Sequence, residues 1–131
     1  WIENGATALW EDFRDKDNPC PNSKNHHFLG DISSWFIQEL AGLKPNPNSD
    51  DVCRFEFSPH FISELDYAKA SYESRFGKVA VGWQRNGAKI KLDISMPEGI
   101  YGTVILPEGN HFEDGSSVIE LYAGKHSFIV E

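Results

Sequence analysis

The residues with the clearest chemical potential lie near the amino terminus. The segment 5–11 reads Gly-Ala-Thr-Ala-Leu-Trp-Glu, which places the Glu11 carboxylate beside the Trp10 indole, and Asn25 and His26 follow one loop later. Carboxylate, amide and imidazole groups hydrogen-bond sugar hydroxyls, while an indole packs its face on apolar C–H surfaces. A carboxylate can also activate water for attack on an anomeric carbon. The combination predicts a sugar-binding cleft.

Each of these residues also has a simpler explanation. Most glutamates are solvated, and Glu11 could lie on a surface helix. His26 and His27 form a pair, but two imidazoles alone do not make a metal site, so no metal is predicted here. An imidazole at this position could instead cap the helix that follows. The functional reading therefore depends on Glu11, Trp10, Asn25 and His26 occurring together.

Composition and charge exclude several functional classes. The chain has 131 residues, 40% of them hydrophobic, and a net charge of −8. This charge disfavours binding to nucleic acid and to anionic membranes, since both require basic surfaces. No glycine-rich loop joins a strand to a helix, so no cofactor is expected. Cys20 and Cys53 lie in no metal or redox spacing, and free thiols are predicted.

One amphipathic helix is predicted in the first third of the chain, over 29–42. Apolar residues recur there at steps of three and four, at Ile32, Trp35, Phe36, Leu40 and Leu43. This stripe places Trp35 in a core. A second, short helix is predicted around 5–14, and the proline-rich and asparagine-rich segment 44–51 is interpreted as a linker.

The rest of the chain has the period of β-strands. Trp83 lies between apolar residues of one strand and is predicted to be buried, which leaves Trp10 as the tryptophan nearest a cleft. Asn86-Gly87 predicts a hairpin, and Ile90, Leu92 and Ile94 share one face of the next strand. Turns are predicted at 96–99 and 106–109, and a final hairpin around 123–124. About seven short strands separated by turns predict an antiparallel β-sandwich.

Several motifs resemble those at the end of bacterial and fungal α-L-rhamnosidases. These enzymes have an (α/α)6 barrel followed by a C-terminal β-sandwich, and the barrel ends on a Gly-Ala-Thr-Thr-x-Trp-Glu-x-Trp motif, Ser-x-Asn-His and a Trp-bearing helix. The matching residues here are segment 5–13, Ser23 to His26, Gly30, Trp35 and 41–43. The sandwich resembles the family at 70–74, Gly77, Trp83, 96–97 and 106–107. The resemblance spans nearly the whole chain.

The resemblance implies specific roles. Glu11 corresponds to the general base of an inverting α-L-rhamnosidase, and His26 to a residue that binds the rhamnose at the cleaved position. Ala8 replaces the second threonine of the motif, and Phe13 replaces its second tryptophan. Inversion needs a second carboxyl group about 6.5–9.5 Å away, which the family supplies from an earlier barrel segment.

The expected organisation is therefore a fragment with two parts. Residues 1–45 correspond to the end of the catalytic barrel and 46–131 to the β-sandwich domain. The expected partners are a rhamnose-containing glycan and the remainder of the barrel, and the isolated chain is expected to be inactive. Two alternatives are a sandwich that only supports the barrel and a carbohydrate-binding module. The second would need an exposed aromatic platform, for which Tyr67, Tyr72, Tyr101 and Tyr122 are candidates.

Overall fold

The computed structural model describes residues 2–11, 23–46 and 50–131. By their internal contacts the residues divide into two compact units, 1–35 and 36–131. Within these residues, helical structure occurs in four short pieces: 3₁₀-helices at Ile2–Asn4 and His27–Asp31, the α-helix α1 at Ile32–Trp35, and a π-helix at Phe36–Leu40. Among the described residues, no helix has the length and apolar character needed to cross a membrane.

The helix predicted over 29–42 is broken into three hydrogen-bonding types. The π-helical turn closes with the Ala41 N–H donating to the Phe36 carbonyl at 3.1 Å. Leu40 and Leu43 are buried, but Trp35 is 46% exposed. The prediction that Trp35 lies in a core is therefore wrong for this structure. Residues 5–11 form turns and bends instead of the predicted short helix, and 12–14 lie outside the described residues.

Six strands make up most of the described part of the second unit. They are β1 (Leu43–Pro45), β2 (Arg54–Phe57), β3 (Tyr67–Ser74), β4 (Gly77–Asn86), β5 (Lys89–Ile105) and β6 (Val118–Val130). Strand β1 occupies Lys44 and Pro45, which the sequence pattern assigns to a linker. The strands are joined in the order β1-β2-β5-β4-β3, and β6 also pairs with β5. The mainly β class is confirmed.

Strand β5 is long enough to belong to two parts of the sheet. Its first half pairs with β4, its second half pairs with β2, and β6 follows it along both halves. Phe55 of β2 and Tyr72 of β3 are not hydrogen-bonded neighbours, yet their rings lie 5.9 Å apart. The sheet therefore folds back on itself, as in a two-layer packing. The β2–β5 pair is parallel, unlike the others.

A single apolar core fills the space between the folded parts of the sheet. The largest buried side chains come mainly from β1, β2, β4, β5 and β6, and include Leu43, Phe57, Trp83, Leu92, Ile94, Val104 and Val130. Trp83 is 2% exposed, so the prediction for this residue is confirmed. Its indole N–H donates to the Leu40 carbonyl at 3.0 Å, and the Phe61 ring packs edge-on against it at 5.6 Å.

The predicted hairpin between β4 and β5 is confirmed, with its turn one residue later. Asn86 pairs with Lys89, so Gly87 and Ala88 are the central turn residues. Gly87 has φ +64°, and no described residue other than glycine has positive φ. Positive φ at the first central position alone is the pattern of a type II′ turn, which favours glycine there. Ile90, Leu92 and Ile94 are all buried, as the alternation predicts.

The hairpin predicted around 123–124 is absent, because β6 is one continuous strand. Both of its halves pair with β5, and the register shifts between Met96 and Tyr101. The predicted turn at 96–99 is therefore a large bulge inside β5. Gly124 lies opposite Met96 with φ +137°, a conformation that glycine adopts without steric cost. Pro97, Gly99 and Gly124 therefore lie where a long two-stranded ribbon bends, whereas the sequence pattern alone predicts that the chain reverses at these positions.

Candidate functional site

Two segments of the first unit lie side by side around Glu11. The Glu11 N–H donates to the Ser23 carbonyl at 2.9 Å, and the His26 N–H donates to the Leu9 carbonyl at 2.7 Å. The Ser23 N–H in turn donates to Glu11 Oε2 at 3.1 Å. These three bonds connect segments separated by residues 12–22, which lie outside the description. They explain why a carboxylate and an imidazole distant in sequence become neighbours.

Glu11 and His26 face each other across this pairing. His26 Nδ1 lies 3.7 Å from Glu11 Oε2, and the two side chains are 26% and 45% exposed, respectively. The separation is longer than a hydrogen bond but suits an ion pair when the imidazole is protonated. The Glu11 carboxylate accepts one backbone N–H and still remains accessible. This arrangement can hold a carboxylate in place while leaving it open to water or a sugar hydroxyl.

Trp10 and Asn25 flank this pair without entering it. Lys24 Nζ lies 5.3 Å from the centre of the Trp10 ring, a distance typical of a cation–π contact. The indole is partly buried, and Lys24 covers one of its faces. The Asn25 N–H donates to Ser23 Oγ at 3.2 Å, which anchors the loop while leaving the residue exposed. The structure thus brings the four predicted site residues into one neighbourhood.

The two histidines differ in position. His26 occupies the position before the 3₁₀-helix His27–Asp31, but its side chain makes no capping hydrogen bond. The two rings are stacked with centres 6.2 Å apart. In the described part of the chain, no group of three or more potential metal-ligating side chains occurs. The described geometry therefore favours a role for His26 beside Glu11 over a role in capping.

Two further residues, Ser23 and Lys24, contribute to the site although the sequence pattern predicts no role for either. Ser23 holds Glu11 through its backbone and Asn25 through its hydroxyl, and Lys24 covers Trp10. Both residues could have been selected from the sequence, because they lie inside the Ser-Lys-Asn-His motif. A motif indicates which residues are associated, whereas only coordinates reveal which of them position the others.

A second polar cluster lies in the second unit, 36–131, which is called the β-rich unit below. The Tyr101 hydroxyl donates to Asp51, whose other carboxylate oxygen accepts the Cys53 N–H at 2.9 Å. The hydrogen bond from Tyr101, followed by that from Cys53, lowers the pKa of Asp51, and the same hydroxyl bond raises the pKa of Tyr101. Burial, and then the Asp51 charge, raise the pKa of the unpaired Cys53 thiol. A thiol of raised pKa is a poor nucleophile, so this cluster is structural.

The tyrosines proposed as sugar platforms fall into two groups. Tyr67, Tyr72 and Tyr122 are 61%, 48% and 74% exposed, respectively. Tyr101 is partly buried and engaged with Asp51, so it is not a platform. Tyr72 contacts Phe55 through its ring. Tyr67 and Tyr122 are therefore the candidates that fit an exposed platform best.

Two family models match the chain. Residues 52–117 match the bacterial α-L-rhamnosidase C-terminal domain, and residues 1–40 match the bacterial α-L-rhamnosidase six-hairpin glycosidase domain. The gap between the two matches, 41–51, contains β1 and ends before β2 begins.

Curated relatives and solved structures agree with these matches. Over 98% of its own length, the chain is 27% identical to an α-L-rhamnosidase of Streptomyces avermitilis. Over 81% of its own length, it is 30% identical to an α-L-rhamnosidase of Alteromonas sp.. It spans only 14% and 12% of those relatives. Among solved structures, the α-L-rhamnosidase from Dictyoglumus thermophilum matches 99% of the chain with a TM-score of 0.81 at 27% identity, and the chain covers 17% of it. The Streptomyces avermitilis enzyme complexed with L-rhamnose matches with a TM-score of 0.76 at 26% identity, again over 99% of this chain and 14% of that one.

Proposed function

Because this chain belongs to the bacterial α-L-rhamnosidase family, we propose that it supplies the general base and part of the sugar site of an inverting glycoside hydrolase. The reaction removes terminal α-L-rhamnose from glycosides or polysaccharides. The observation that carries the proposal is the pairing of Glu11 with His26, at 3.7 Å, inside the segment that matches the catalytic-domain model.

In this mechanism Glu11 takes a proton from water. The oxygen of that water forms a bond to the anomeric carbon while the bond from this carbon to the leaving oxygen breaks. A second carboxylic acid donates its proton to the leaving oxygen, so that protons and charge balance. The backbone N–H of Ser23 holds the carboxylate of Glu11 in place. His26 binds a hydroxyl of the rhamnose and lies within ion-pair distance of the base.

The second carboxyl group belongs to an earlier part of the longer protein. The chain covers 14% of its Streptomyces avermitilis relative, and the family resemblance assigns the acid to a preceding barrel segment. The remaining barrel packs against the apolar residues around the helical pieces. In the first unit Ile32 and Trp35 are 54% and 46% exposed, and in the second unit Phe36 and Ile37 are 49% and 41% exposed. This exposure in each unit fits apolar side chains that such a partner would cover. The isolated chain is accordingly inactive.

Residues 1–45 form the end of the catalytic barrel, and 46–131 form the C-terminal domain. The two family matches, 1–40 and 52–117, support this division. Trp10 and Asn25 complete the sugar site beside the base. No metal or cofactor takes part, since two carboxyl groups supply both proton transfers.

The test is substitution of the base in the longer enzyme that contains this chain. Glu11→Gln keeps the size of the side chain but removes the proton acceptor, so kcat on a p-nitrophenyl α-L-rhamnoside falls by about 10²–10⁴-fold. Glu3→Gln is the matched control, since Glu3 is an exposed glutamate of the same segment and lies outside the pair. A Glu11→Gln enzyme with near-normal turnover and an unchanged melting temperature would remove Glu11 from the mechanism.

A second candidate is a β-rich module that binds carbohydrate without catalysis. The exposure of Tyr67 and Tyr122 favours it, because exposed aromatic rings can stack on sugar faces. Calorimetric titration of the chain with rhamnose-containing oligosaccharides tests this reading. Binding that is lost in Tyr67→Ala or Tyr122→Ala, together with full activity of a Glu11→Gln enzyme, would favour a carbohydrate-binding role for this chain over a catalytic one.

A further inference from the structure

A groove crosses the outer face of the sheet in the β-rich unit. Its volume is ≈ 700 Å³, and it runs across β3, β4, β5 and β6. Two cross-strand rows form its floor: Lys69–Gly82–Asp93–Ser127 and Ser71–Ala80–Ser95–Lys125. The intervening residues Val81 and Ile94 point into the core and are buried. The groove is therefore a feature of the outer face, distinct from the apolar interior.

The floor is low because its central side chains are small. Backbone geometry does not explain the glycine at 82: its φ lies outside the positive range, and an added Cβ would first meet Lys69 Cβ at 3.4 Å, an ordinary contact. β-branched residues are favoured in strands, and Gly weakens a strand interior. A strand glycine that the backbone does not need fits a site where another molecule approaches closely.

Lysines concentrate on this face. Every lysine after Lys44 is at an outward position of these four strands: Lys69, Lys78, Lys89, Lys91 and Lys125. Three carboxylates share the face, and two of them pair with lysines: Glu131 with Lys89, and Asp93 with Lys91 at 2.8 Å. The third, Glu73, is the register partner of Lys78. In a chain of net charge −8, this face carries an excess of positive charge.

The lysines that line the groove differ from the paired ones at its edge. Within the residues described, Lys69, Lys78 and Lys125 form no ion pair, whereas Asp93 is engaged by Lys91. Lys69 and Lys125 lie at diagonally opposite corners of the floor, on strands three steps apart. With strands about 4.8 Å apart and the two rows about 6.6 Å apart along the strands, these corners are separated by about 16 Å. Two point charges at this spacing suit an extended anion better than a small one.

We propose that this groove binds an acidic oligosaccharide, with lysines contacting uronate carboxylates and serines contacting hydroxyls. The carbohydrate assignment rests on the proposed hydrolase function, for which the acidic chain would be the part of the glycan away from the cleaved rhamnose. Lys69, Lys78 and Lys125 supply the charge, and Ser71, Ser95 and Ser127 supply hydroxyl partners. No Phe, Tyr or Trp is among the groove-lining residues, so the stacking platform typical of single-stranded nucleic acid sites is missing from it.

The experiment is a calorimetric titration of the chain with oligogalacturonate hexamer. Maltohexaose serves as the neutral sugar, and poly-L-glutamate as the polyanion without sugar. The proposal expects saturable binding of the uronate that weakens as salt is raised, since exposed charges are screened. Lys69→Gln/Lys125→Gln weakens binding about tenfold, which corresponds to about 1.4 kcal/mol. Gly82→Val fills the floor and abolishes binding, whereas Arg75→Gln, a loss of an exposed cation in the β3–β4 turn, changes affinity less than about twofold.

Each other outcome overturns a defined part of the proposal. Absence of uronate binding, or binding unaffected by the double substitution, removes the groove as the site. Equal binding of poly-L-glutamate removes the carbohydrate assignment. Circular dichroism spectra and melting curves that match the unsubstituted chain show that a lost signal reflects lost contacts. Hydrolysis of a neutral p-nitrophenyl α-L-rhamnoside by the longer enzyme tests the catalytic proposal separately, because that substrate carries no uronate.

Discussion

At the scale of single residues, the site depends on backbone groups that hold side chains. The backbone N–H of Ser23 positions the Glu11 carboxylate. The pairing of 9–11 with 23–26 places His26 Nδ1 3.7 Å from Glu11 Oε2. A carboxylate held by a fixed donor is oriented before substrate arrives, which lowers the cost of reaching the reactive geometry. The same principle applies in the β-rich unit, where Tyr101 and the Cys53 N–H hold Asp51.

The Asp51 cluster predicts an acid-sensitive component of stability. Its hydrogen bonds lower the folded-state pKa of Asp51 below the ordinary 3.8. The resulting stabilisation is complete above the unfolded pKa and is lost as pH falls through the folded one. Tyr101→Phe removes the leading cause, so the variant melts at a lower temperature than the parent chain at neutral pH. The two melting temperatures converge as pH falls through the lowered folded-state pKa of Asp51. A difference that stays constant down to low pH would contradict the assignment.

Trp83 predicts a large local contribution to stability. The residue is 2% exposed and donates to the Leu40 carbonyl. Trp83→Phe leaves that carbonyl without its donor and opens a small cavity, which together cost about 2–4 kcal/mol. Urea unfolding followed by far-ultraviolet circular dichroism measures the loss. Tyr122→Phe is the control, because Tyr122 is 74% exposed and its substitution changes stability by less than about 0.5 kcal/mol.

At the scale of elements, the β5–β6 ribbon organises the β-rich unit. Because β5 pairs with β4 in one half and with β2 in the other, both parts of the folded sheet share it. The register of this ribbon shifts at the bulge between Met96 and Tyr101, and Gly124, opposite Met96, has a positive φ there. The parallel β2–β5 pair places Phe55 and Phe57 in the core. Gly102 in β5 is a site of close approach between these two strands, beside its register partner Phe55.

Gly102→Ala tests this close approach. An added Cβ would lie 2.4 Å from the Phe55 carbonyl oxygen, so β2 must move away from β5. Because forced overpacking of this kind costs about 1–3 kcal/mol, the expected midpoint in urea is clearly lower. Gly82→Ala is the matched control in a neighbouring strand, where the nearest contact is an ordinary 3.4 Å. Equal stability of the two variants would show that β2 and β5 are less tightly packed than described.

At the scale of the whole molecule, the chain corresponds to a small part of each of its relatives. It covers 12–17% of the relatives described above, and the residues around its helical pieces expose several apolar side chains. The proposed base lies in the unit formed by residues 1–35, and the proposed acidic-sugar groove lies in the unit formed by residues 36–131. Catalysis and recognition of the distant part of a glycan would then reside in separate units of one chain.

The corresponding prediction concerns activity with and without the rest of the protein. The 131-residue chain alone is expected to hydrolyse p-nitrophenyl α-L-rhamnoside at least about 10³-fold more slowly than the longer enzyme, because the proposed mechanism takes the acid and most of the cavity from the rest of the barrel. Release of p-nitrophenol at equal molar concentrations measures the ratio. Comparable turnover by the two proteins would mean that the chain holds a complete active site and that the mechanism proposed above is wrong.

The features predicted from sequence are those that depend on local pattern. The burial of Ile90, Leu92, Ile94 and Trp83 follows from alternation along a strand, and the β4–β5 hairpin follows from Asn86-Gly87. The residues of the candidate site were also identifiable, because a carboxylate, an indole, an amide and an imidazole lie in two short motifs. The catalytic roles of Glu11 and His26 remain predictions until kinetics test them.

The remaining features were decided by contacts between residues distant in sequence. The period of a strand does not specify its partner, so the pattern at 118–130 fits a hairpin as well as one strand that follows β5. The stripe that includes Trp35 is periodic whether or not a partner covers it, and its exposure depends on what packs nearby. The lysines of the groove are dispersed between 69 and 125, and only strand register brings them to one face. Local chemistry determines which way a side chain points, whereas long-range pairing determines what it meets.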